Sequence, residues 1–437
     1  MINSIFDLLL SQIEEDDRAR QAQIRRAWDA YWGRLPKPLR VATGQVDDNV
    51  YVNYCRLIVD KGVSFLFGED VGMEIDELAE TAAEAWLDDV WRVNRKMTLL
   101  QKVALNGAVA GHAFVKIIER PGQLPRLIAL DPETVTVRYA VDDFEDVTAY
   151  IIRYPARDPK SDKPLLFREV IERDDSRWRI TDEVSDDARL WRVTNETVWG
   201  YPFSPVVDCQ NLPVPNEYWG MSDLEEDIIG LQQSINFVLS NIARIIRYHA
   251  HPKTWGRGFS SRDLRIGVDE VIVFPSAEAE LHNLEMQSDL ASSIELYKRL
   301  REALHEVSRI PEVATGKLDS TGGLSGVALQ ILYQPLVEKT ETKRRMYGDM
   351  LIELNRRLLA LGGWGDNGLT VIHWPELLPA DLMQMRQAAL IDQQLGVSQD
   401  TILARLGYNP DLERQKVIQD GRSLGEQLLT AFDQGEM

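Results

Sequence analysis

An apolar repeat between residues 224 and 245, with members alternately four and three residues apart, constrains the fold more than any other feature of the chain. The repeat consists of Leu224, Ile228, Leu231, Ile235, Val238, Ile242 and Ile245. This spacing places the side chains in one stripe along a helix of roughly 25–28 residues, roughly 40 Å long. Because such a stripe must be covered, the sequence predicts a partner helix for it.

A second helix is predicted between Ser288 and Ser308. One face carries apolar residues at helical spacing, and Ser288 or Asp289 can serve as the N-cap. These residues are Leu290, Ile294, Tyr297, Leu300, Leu304 and Val307. The roughly 40 residues between the two helices contain a strand-like run at 270–274 that ends at Pro275. We therefore expect the two helices to enclose a small tip that contains β-structure.

A glycine-bearing segment follows Pro311 and precedes another long helix. Residues 312–324 contain three glycines and three hydroxyl residues, which predicts a flexible loop. Its candidate functional residues are Glu312, Thr315, Gly316, Lys317, Ser320, Gly322 and Gly323. Ser325 is a suitable N-cap for a helix that continues to about Leu361, and Pro335 is expected to kink that helix.

The flanking parts of the chain combine helices with a β-rich region. Periodicity predicts helices at about 11–32, 49–67, 77–93 and 95–110, short strands between about 114 and 198, and a strand at 369–375. Further helices are expected at about 380–395, 398–406 and 410–421. This pattern predicts an α+β, mainly helical fold whose short strands form an antiparallel sheet.

The charge balance restricts the partners of the chain. The formal net charge is −20, whereas tight duplex binding draws on a basic surface that releases counterions. A stationary DNA binder is therefore not expected, although an acidic wall would let DNA slide past. No apolar run has the roughly 20 residues of a membrane helix, and no basic residue precedes the short apolar stretch at the start, so we expect neither membrane insertion nor secretion.

Signatures of catalysis and metal binding are missing from the sequence. Gly316-Lys317 is followed by Leu318 and lacks the upstream glycine of a phosphate-binding loop. The two cysteines do not form a Cys-x-x-Cys pair, and His249-x-His251, the only close histidine pair, offers too few ligands for a metal. We expect no enzyme activity, no cofactor and no metal, while a hydrolase with an unrecognised carboxylate pair stays as an alternative.

The densest basic cluster lies on the long helix after the loop. It consists of Lys339, Lys343, Arg344 and Arg345 beside acidic neighbours. Helix-borne charges of this kind commonly form ion pairs, and we expect these residues to pair between subunits of an oligomer.

Three stretches and the order of the parts resemble the portal proteins of long-tailed bacteriophages. The stretches are Asn53–Asp60 with Phe65–Gly68, Gly220–Leu224 at the start of the first long helix, and Leu324–Leu329 after the loop. The resemblance extends over almost the whole chain. It implies a DNA channel at one capsid vertex, built from a ring of about twelve copies.

The resemblance also divides the chain into functional regions. It implies a wing (1–218), a first stem helix (219–248), a clip (249–287), a second stem helix (288–310), a tunnel loop (311–324), a long kinked helix (325–362), a wing strand (363–379) and a crown (380–437). The chain is short for the family, which affects the expected size of the crown. In the tunnel loop, Lys317 is expected either to touch the DNA backbone transiently or to be solvated without a role.

The implied partners are the packaging motor's large terminase subunit, a head–tail adaptor, the major capsid and scaffolding proteins, and double-stranded DNA that passes without sequence readout. The implied location is the virion, after assembly in the bacterial host cytoplasm. An alternative is a dimeric helical adaptor or scaffold in which the 224–245 stripe forms a coiled coil.

Overall fold

The computed structural model describes residues 2–44, 46–75, 81–158, 161–175, 177–187, 190–250, 253–257, 278–284, 290–315, 326–365, 370–378, 382–406, 408–410 and 412–418. The chain divides into two compact units. The first comprises residues 1–322 and 331–375, and the second comprises residues 323–330 and 376–437.

Helices occupy the first part of unit one. They are α1 (Ile2–Tyr31), α2 (Tyr54–Phe67), α3 (Thr81–Val93) and α4 (Lys96–Ala110). The helix predicted over 49–67 begins only at Tyr54, because the side chain of Asn53 accepts a hydrogen bond from the backbone N–H of Arg56 and caps the helix there. Helix α4 ends at Gly111, whose φ of 82° is the left-handed conformation that glycine adopts readily at a helix C-terminus.

Two antiparallel sheets follow the N-terminal helices. A five-stranded sheet has the order β4 (Val135–Tyr139), β5 (Val147–Arg157), β6 (Pro164–Asp174), β7 (Arg177–Ser185) and β8 (Arg192–Trp199). A three-stranded sheet has the order β3 (Arg126–Leu130), β2 (His112–Ile118) and β9 (Val206–Gln210). The predicted antiparallel β-region is confirmed, and β9 extends it beyond residue 198.

The two striped helices enclose a β-hairpin, which agrees with the predicted β-containing tip, although neither strand of this hairpin was predicted. Helix α5 (Glu226–Ala250) leads to β10 (Lys253–Arg257), which pairs antiparallel with β11 (Glu280–Leu284), and α6 (Leu290–Ser308) returns. Helices α5 and α6 pack against each other. The strand predicted at 270–274 and Pro275 lie outside the described residues.

Helix α7 (Gly326–Leu361) contains Pro335 and links two hydrophobic cores. Leu336 packs in a core formed by residues of α1, α2, α4, α5 and α6. Tyr347, Leu351 and Leu358 pack in a second core with α3, α4 and the three-stranded sheet. Gly107 of α4 permits this close approach, because a Cβ there would lie 2.0 Å from the Tyr347 hydroxyl.

The remaining elements complete the two units. Strand β1 (Gly72–Ile75) pairs antiparallel with β12 (Thr370–His373), so the predicted strand at 369–375 is confirmed in its central part. In unit two, α8 (Leu382–Gln394) and α9 (Gln399–Arg405) agree with the predicted helices, and residues 412–418 are helical. Among the described helices, none combines the length and apolar character needed to cross a membrane.

Candidate functional site

The apolar stripe of α5 is covered inside the subunit. Leu224, Ile228 and Ile235 are at most 3% exposed and pack with residues of α1, α2 and α4 as well as α6. Val238 is also buried, whereas Leu231, Ile242 and Ile245 are half-buried. A coiled coil along this stripe would need a free apolar seam. Since its first half already lies in the core, the structure disfavours the alternative of a coiled-coil dimer.

The predicted stripe of α6 is only partly covered. Leu304 is fully buried, and Tyr297 is half-buried with its hydroxyl 3.1 Å from that of Tyr54. Ile294 is 43% exposed and Val307 is also exposed. Helix α6 therefore buries the part that meets α5 and α2 and leaves apolar side chains at the surface.

A second face of α5 carries polar residues that the sequence analysis did not single out. Gln232, Asn236 and Ser240, here called the polar ladder, are at most 5% exposed and bind the backbone of the extended segment 50–54. The bonds run from the N–H groups of Tyr54 to Gln232 (2.7 Å), Val52 to Asn236 (3.0 Å) and Val50 to Ser240 (2.9 Å).

The polar ladder works because two periodicities match. Residues four apart on a helix rise about 6 Å, and residues two apart on an extended chain rise about 6.6 Å. Alternate N–H groups of segment 50–54 therefore meet successive rungs of the helix. The signal in the sequence was the spacing of four between Gln232, Asn236 and Ser240, but it has meaning only once the extended segment is placed beside it.

An ion pair continues the polar ladder towards the end of α5. The guanidinium of Arg244 lies 2.7 Å from an Asp48 carboxylate oxygen, and that of Arg247 lies 3.2 Å from the other. The hydrogen bond from Arg244 lowers the pKa of Asp48. Together, the ladder and this pair fix the segment before α2 along α5.

Three helices and two lysines meet at a buried aspartate. Asp223 precedes α5, and its side chain is fully buried. The ammonium groups of Lys339 and Lys343, one helical turn apart on α7, lie 3.1 Å and 2.5 Å from its two carboxylate oxygens. Lys339 also donates to the carbonyl of Ser308, the last residue of α6, at 3.1 Å. This buried charge cluster of Asp223, Lys339 and Lys343 joins the start of α5 and the end of α6 to α7.

The pKa values of Asp223 and Lys343 in the buried charge cluster are shifted by different causes. Burial raises the pKa of Asp223, but the charges of Lys339 and Lys343 outweigh burial and lower it to about 2. Desolvation lowers the pKa of Lys343 to about 8. Two cations surround one anion, and the carbonyl of Ser308, at the negative end of the α6 dipole, complements the surplus charge.

The structure corrects the prediction for the basic cluster on α7. Lys339 and Lys343 have buried partners within the chain and cannot reach another subunit. Arg344 is also buried; it donates to the carbonyl of Pro375 at 2.6 Å and lies over the ring of Trp374. The sequence suggested pairing between subunits because the internal partner, Asp223, lies more than a hundred residues away. Arg345 is exposed, and intersubunit pairing stays a prediction for this residue.

The segment that follows α6, residues 309–315, here called the loop root, is held by α6 and α7. Its 3-10 turn, Glu312–Thr315, lies in the predicted flexible loop and contains two of the candidate functional residues, Glu312 and Thr315. Arg301 lies 2.7 Å from the Glu312 carboxylate, and His305 Nδ1 lies 2.8 Å from the carbonyl of Ile310. The loop residues Gly316, Lys317, Ser320, Gly322 and Gly323 lie outside the described residues. Glu312 and Thr315 thus belong to the fixed root of the predicted loop.

A buried carboxylate elsewhere has a structural role. Asp208 accepts hydrogen bonds from the hydroxyls of Tyr150 and Tyr218, both at 2.6 Å, and lies 2.9 Å from His112 Nε2. Burial and the charge of Asp208 raise the pKa of both tyrosines well above their ordinary value. The network links the two sheets to the segment before α5. In the part of the chain that the structure describes, no group of three or more His, Cys, Asp or Glu residues could hold a metal ion.

Comparison with known proteins gives one match over nearly the whole chain. A family model described as "Phage portal protein, SPP1 Gp6-like" matches residues 12–422. No curated protein matches the chain.

Solved structures of gene transfer agent particles contain similar chains. A chain of the native virion is 11% identical, with a TM-score of 0.45 over 85% of this chain and 96% of that chain. A chain of the native neck, computed with C12 symmetry, is 12% identical, with a TM-score of 0.40 over 81% and 88%. A chain of the empty neck, computed with C6 symmetry, is 13% identical, with a TM-score of 0.42 over 81% and 89%. At these values the likeness of the folds is loose.

Proposed function

Because the family model matches residues 12–422, this chain belongs to the SPP1 Gp6-like phage portal protein family, and from this premise we propose how its parts form a portal. As a portal protein, it forms the DNA channel at a vertex of the phage capsid. The family is structural, so the carboxylates of the chain need no catalytic role.

We propose that about twelve copies form the ring, in keeping with the closed cyclic symmetry of most homo-oligomers. Helices α5 and α6 are the stem, the region 249–287 with the hairpin β10–β11 is the clip, and residues 311–324 are the tunnel loop. Residues 1–218 with 363–379 are the wing, and 380–437 are the crown. The pairing of α5 with α6 and the hairpin between them support this assignment.

The proposed partners follow from the function of a portal. The clip meets the large terminase subunit during packaging and later a head–tail adaptor, and the wing meets the major capsid and scaffolding proteins. Double-stranded DNA passes through without base readout. The ring assembles in the bacterial host cytoplasm and stays at the portal vertex of the virion.

One observation carries the channel proposal beyond the family assignment: the start of α5, the end of α6 and the middle of α7 are held together by the buried charge cluster. A segment that leaves α6 and returns as α7 is thereby rooted where the first stem helix begins and the second one ends. In a ring, such a segment would be repeated around the axis. The net charge of −20 suits a wall along which phosphate slides instead of being held.

Imaging of the purified protein by negative-stain electron microscopy, with native mass spectrometry, tests the ring. The expected result is a closed ring of about twelve subunits with a central opening wide enough for duplex DNA. A dimer, or a particle without an opening, would refute the proposal.

Charge reversal of the tunnel loop tests its contact with DNA. Lys317→Glu places a negative charge beside passing phosphate, so DNA packaging should fall while ring assembly is unchanged. Ser320→Glu, in the same proposed loop, is a control that adds negative charge without removing the lysine. If Lys317→Glu rings package as well as wild-type rings, Lys317 has no part in passage.

A further inference from the structure

Lys339 differs from its neighbour Lys343 in what it connects. Both ammonium groups contact Asp223, but Lys339 also donates to the carbonyl of Ser308 at 3.1 Å. Ser308 ends α6, and the next residue, Arg309, has a φ of 59°, so the chain turns out of the helix there. The last carbonyls of a helix have no partner within it. Lys339 therefore caps α6 at the point where the loop root begins.

We propose that Lys339 is a positioning residue that fixes the loop root and transmits to it the relative position of α5 and α6. This inference rests on the proposed function, since it concerns the root of the tunnel loop. A single ammonium group, which belongs to α7, touches Asp223, three residues before α5 begins, and Ser308, the last residue of α6. A shift between the stem helices must therefore break one of the two contacts or move α7.

The surroundings of Lys339 make the connection stiff on one side. Beyond it, α7 is anchored by the second core, in which Tyr347, Leu351, Leu354 and Leu358 are fully buried. A movement of α5 against α6 cannot easily be absorbed by this part of α7, because packed cores resist continuous deformation.

Before Lys339, α7 is weaker. Pro335 has no N–H, so one backbone hydrogen bond of the helix is missing. The hydroxyl of Thr340, just after Lys339, donates to the carbonyl of Leu336 in the turn before it, a pattern that favours bending of that turn. The loop root contacts this weaker part, because the Tyr333 hydroxyl donates to the carbonyl of Val313. The root therefore lies between a fixed cluster and a deformable turn of helix.

The proposal predicts a local effect of Lys339→Met. Methionine fills a similar volume but cannot donate to Ser308 or pair with Asp223. Amide hydrogen exchange in the full-length protein should become at least about tenfold faster at residues 309–315. DNA packaged per particle, measured by complementation of a phage that lacks its own portal, should fall at least about threefold, because the loop root is no longer held in one position.

Lys343→Met is the matched control. It removes an equally buried ammonium group from the same aspartate but leaves the contact with Ser308 intact. Exchange at 309–315 should stay within about threefold of wild type. Lys339→Arg, which keeps the charge and the donors, should restore both protection and packaging.

Unchanged exchange at 309–315 in Lys339→Met would overturn the proposal. So would equal acceleration in both methionine variants, which would show that only the general burial of charge matters. If Lys339→Met does not fold, the test moves to Lys339→Arg. Loss of packaging while the loop root stays protected, or normal packaging while the loop root loses protection, would refute the proposed connection. Ring formation by wild-type protein is measured separately, so failure of the portal proposal is distinguishable from failure of this one.

Discussion

Replacing Asn236 by leucine tests whether the polar ladder holds segment 50–54 against α5. The side-chain oxygen of Asn236 accepts hydrogen bonds from the backbone N–H of Val52 at 3.0 Å and from the Gln232 amide at 3.1 Å. Leucine has a similar volume but no acceptor, so both donors would be left without this partner at a buried site.

The expected loss of stability follows from these two bonds. A buried donor without a partner costs about 1–3 kcal/mol, which gives about 4 kcal/mol for two donors. Burying the leucine side chain returns about 1.5–3 kcal/mol. Asn236→Leu should therefore lower the free energy of unfolding by about 1–2.5 kcal/mol. Ser234→Ala is the control on the same helix, because Ser234 is exposed and its hydroxyl bonds only to the carbonyl of Gly230, so its effect should stay within about 0.5 kcal/mol.

Urea unfolding measures the stability, and amide exchange locates the change. In wild-type protein, the amides of Val50, Val52 and Tyr54 should exchange more slowly than those of Tyr51 and Asn53, because only alternate residues meet the polar ladder. In Asn236→Leu, the amide of Val52 should accelerate most. A stability loss below about 0.5 kcal/mol, or uniform exchange along residues 50–54, would refute the reasoning.

Three further outcomes are expected. The pKa of Asp223 falls from 3.8 to about 2 in the folded chain, so about 2 kcal/mol of stability present above about pH 5 should be lost as the pH falls towards 2. The urea midpoint of Asp223→Asn should fall less steeply with pH over this range than that of the wild type. Equal slopes for the two proteins would count against this role of Asp223. Asp48→Asn removes the carboxylate that pairs with Arg244 and should lower the urea midpoint slightly, and more at low salt than at high salt, since this pair is partly exposed. Arg345→Glu should weaken the ring more at low salt than at high salt in native mass spectrometry, and no dependence on salt would argue against a role between subunits.

Local features of the fold were predictable from the sequence, whereas the partners of buried polar groups were not. The spacing from Leu224 to Ile245 predicted α5 because helical periodicity is a property of neighbouring residues. The same spacing could not decide whether the stripe packs within the subunit or against another copy. Asn53 is a comparable case. The helix after it was predicted, but with too early a start, because the residue that caps the helix also fits the helical pattern.

The site was harder to predict because it depends on contacts between distant parts of the chain. Lys339 and Lys343 carry the same pattern as solvated helix residues, and only Asp223, 120 residues from Lys343, makes them a buried cluster. Likewise, Glu312 reads as part of a glycine-bearing loop until Arg301 is found beside it. Sequence patterns show how buried and exposed positions alternate along a helix or strand. They do not show that a charged residue is buried beside a partner that lies far away in the sequence.

The burial of Lys339, Lys343 and Arg344 changes how the acidity of the chain bears on DNA passage. These three side chains were the densest positive charge in the sequence, yet they are not available to phosphate on this stretch of α7. We therefore propose that electrostatic attraction to a sliding duplex comes from residues outside this cluster, and Lys317, the only basic residue between 312 and 324, is the candidate. In this proposal, one lysine per subunit, in a ring whose subunits each carry a net charge of −20, would give a weak contact that could be released at every step. If Lys339 and Lys343 were instead exposed to the channel, each subunit would present a helix with a continuous basic face. Counterion release would then favour tight binding of DNA over its movement.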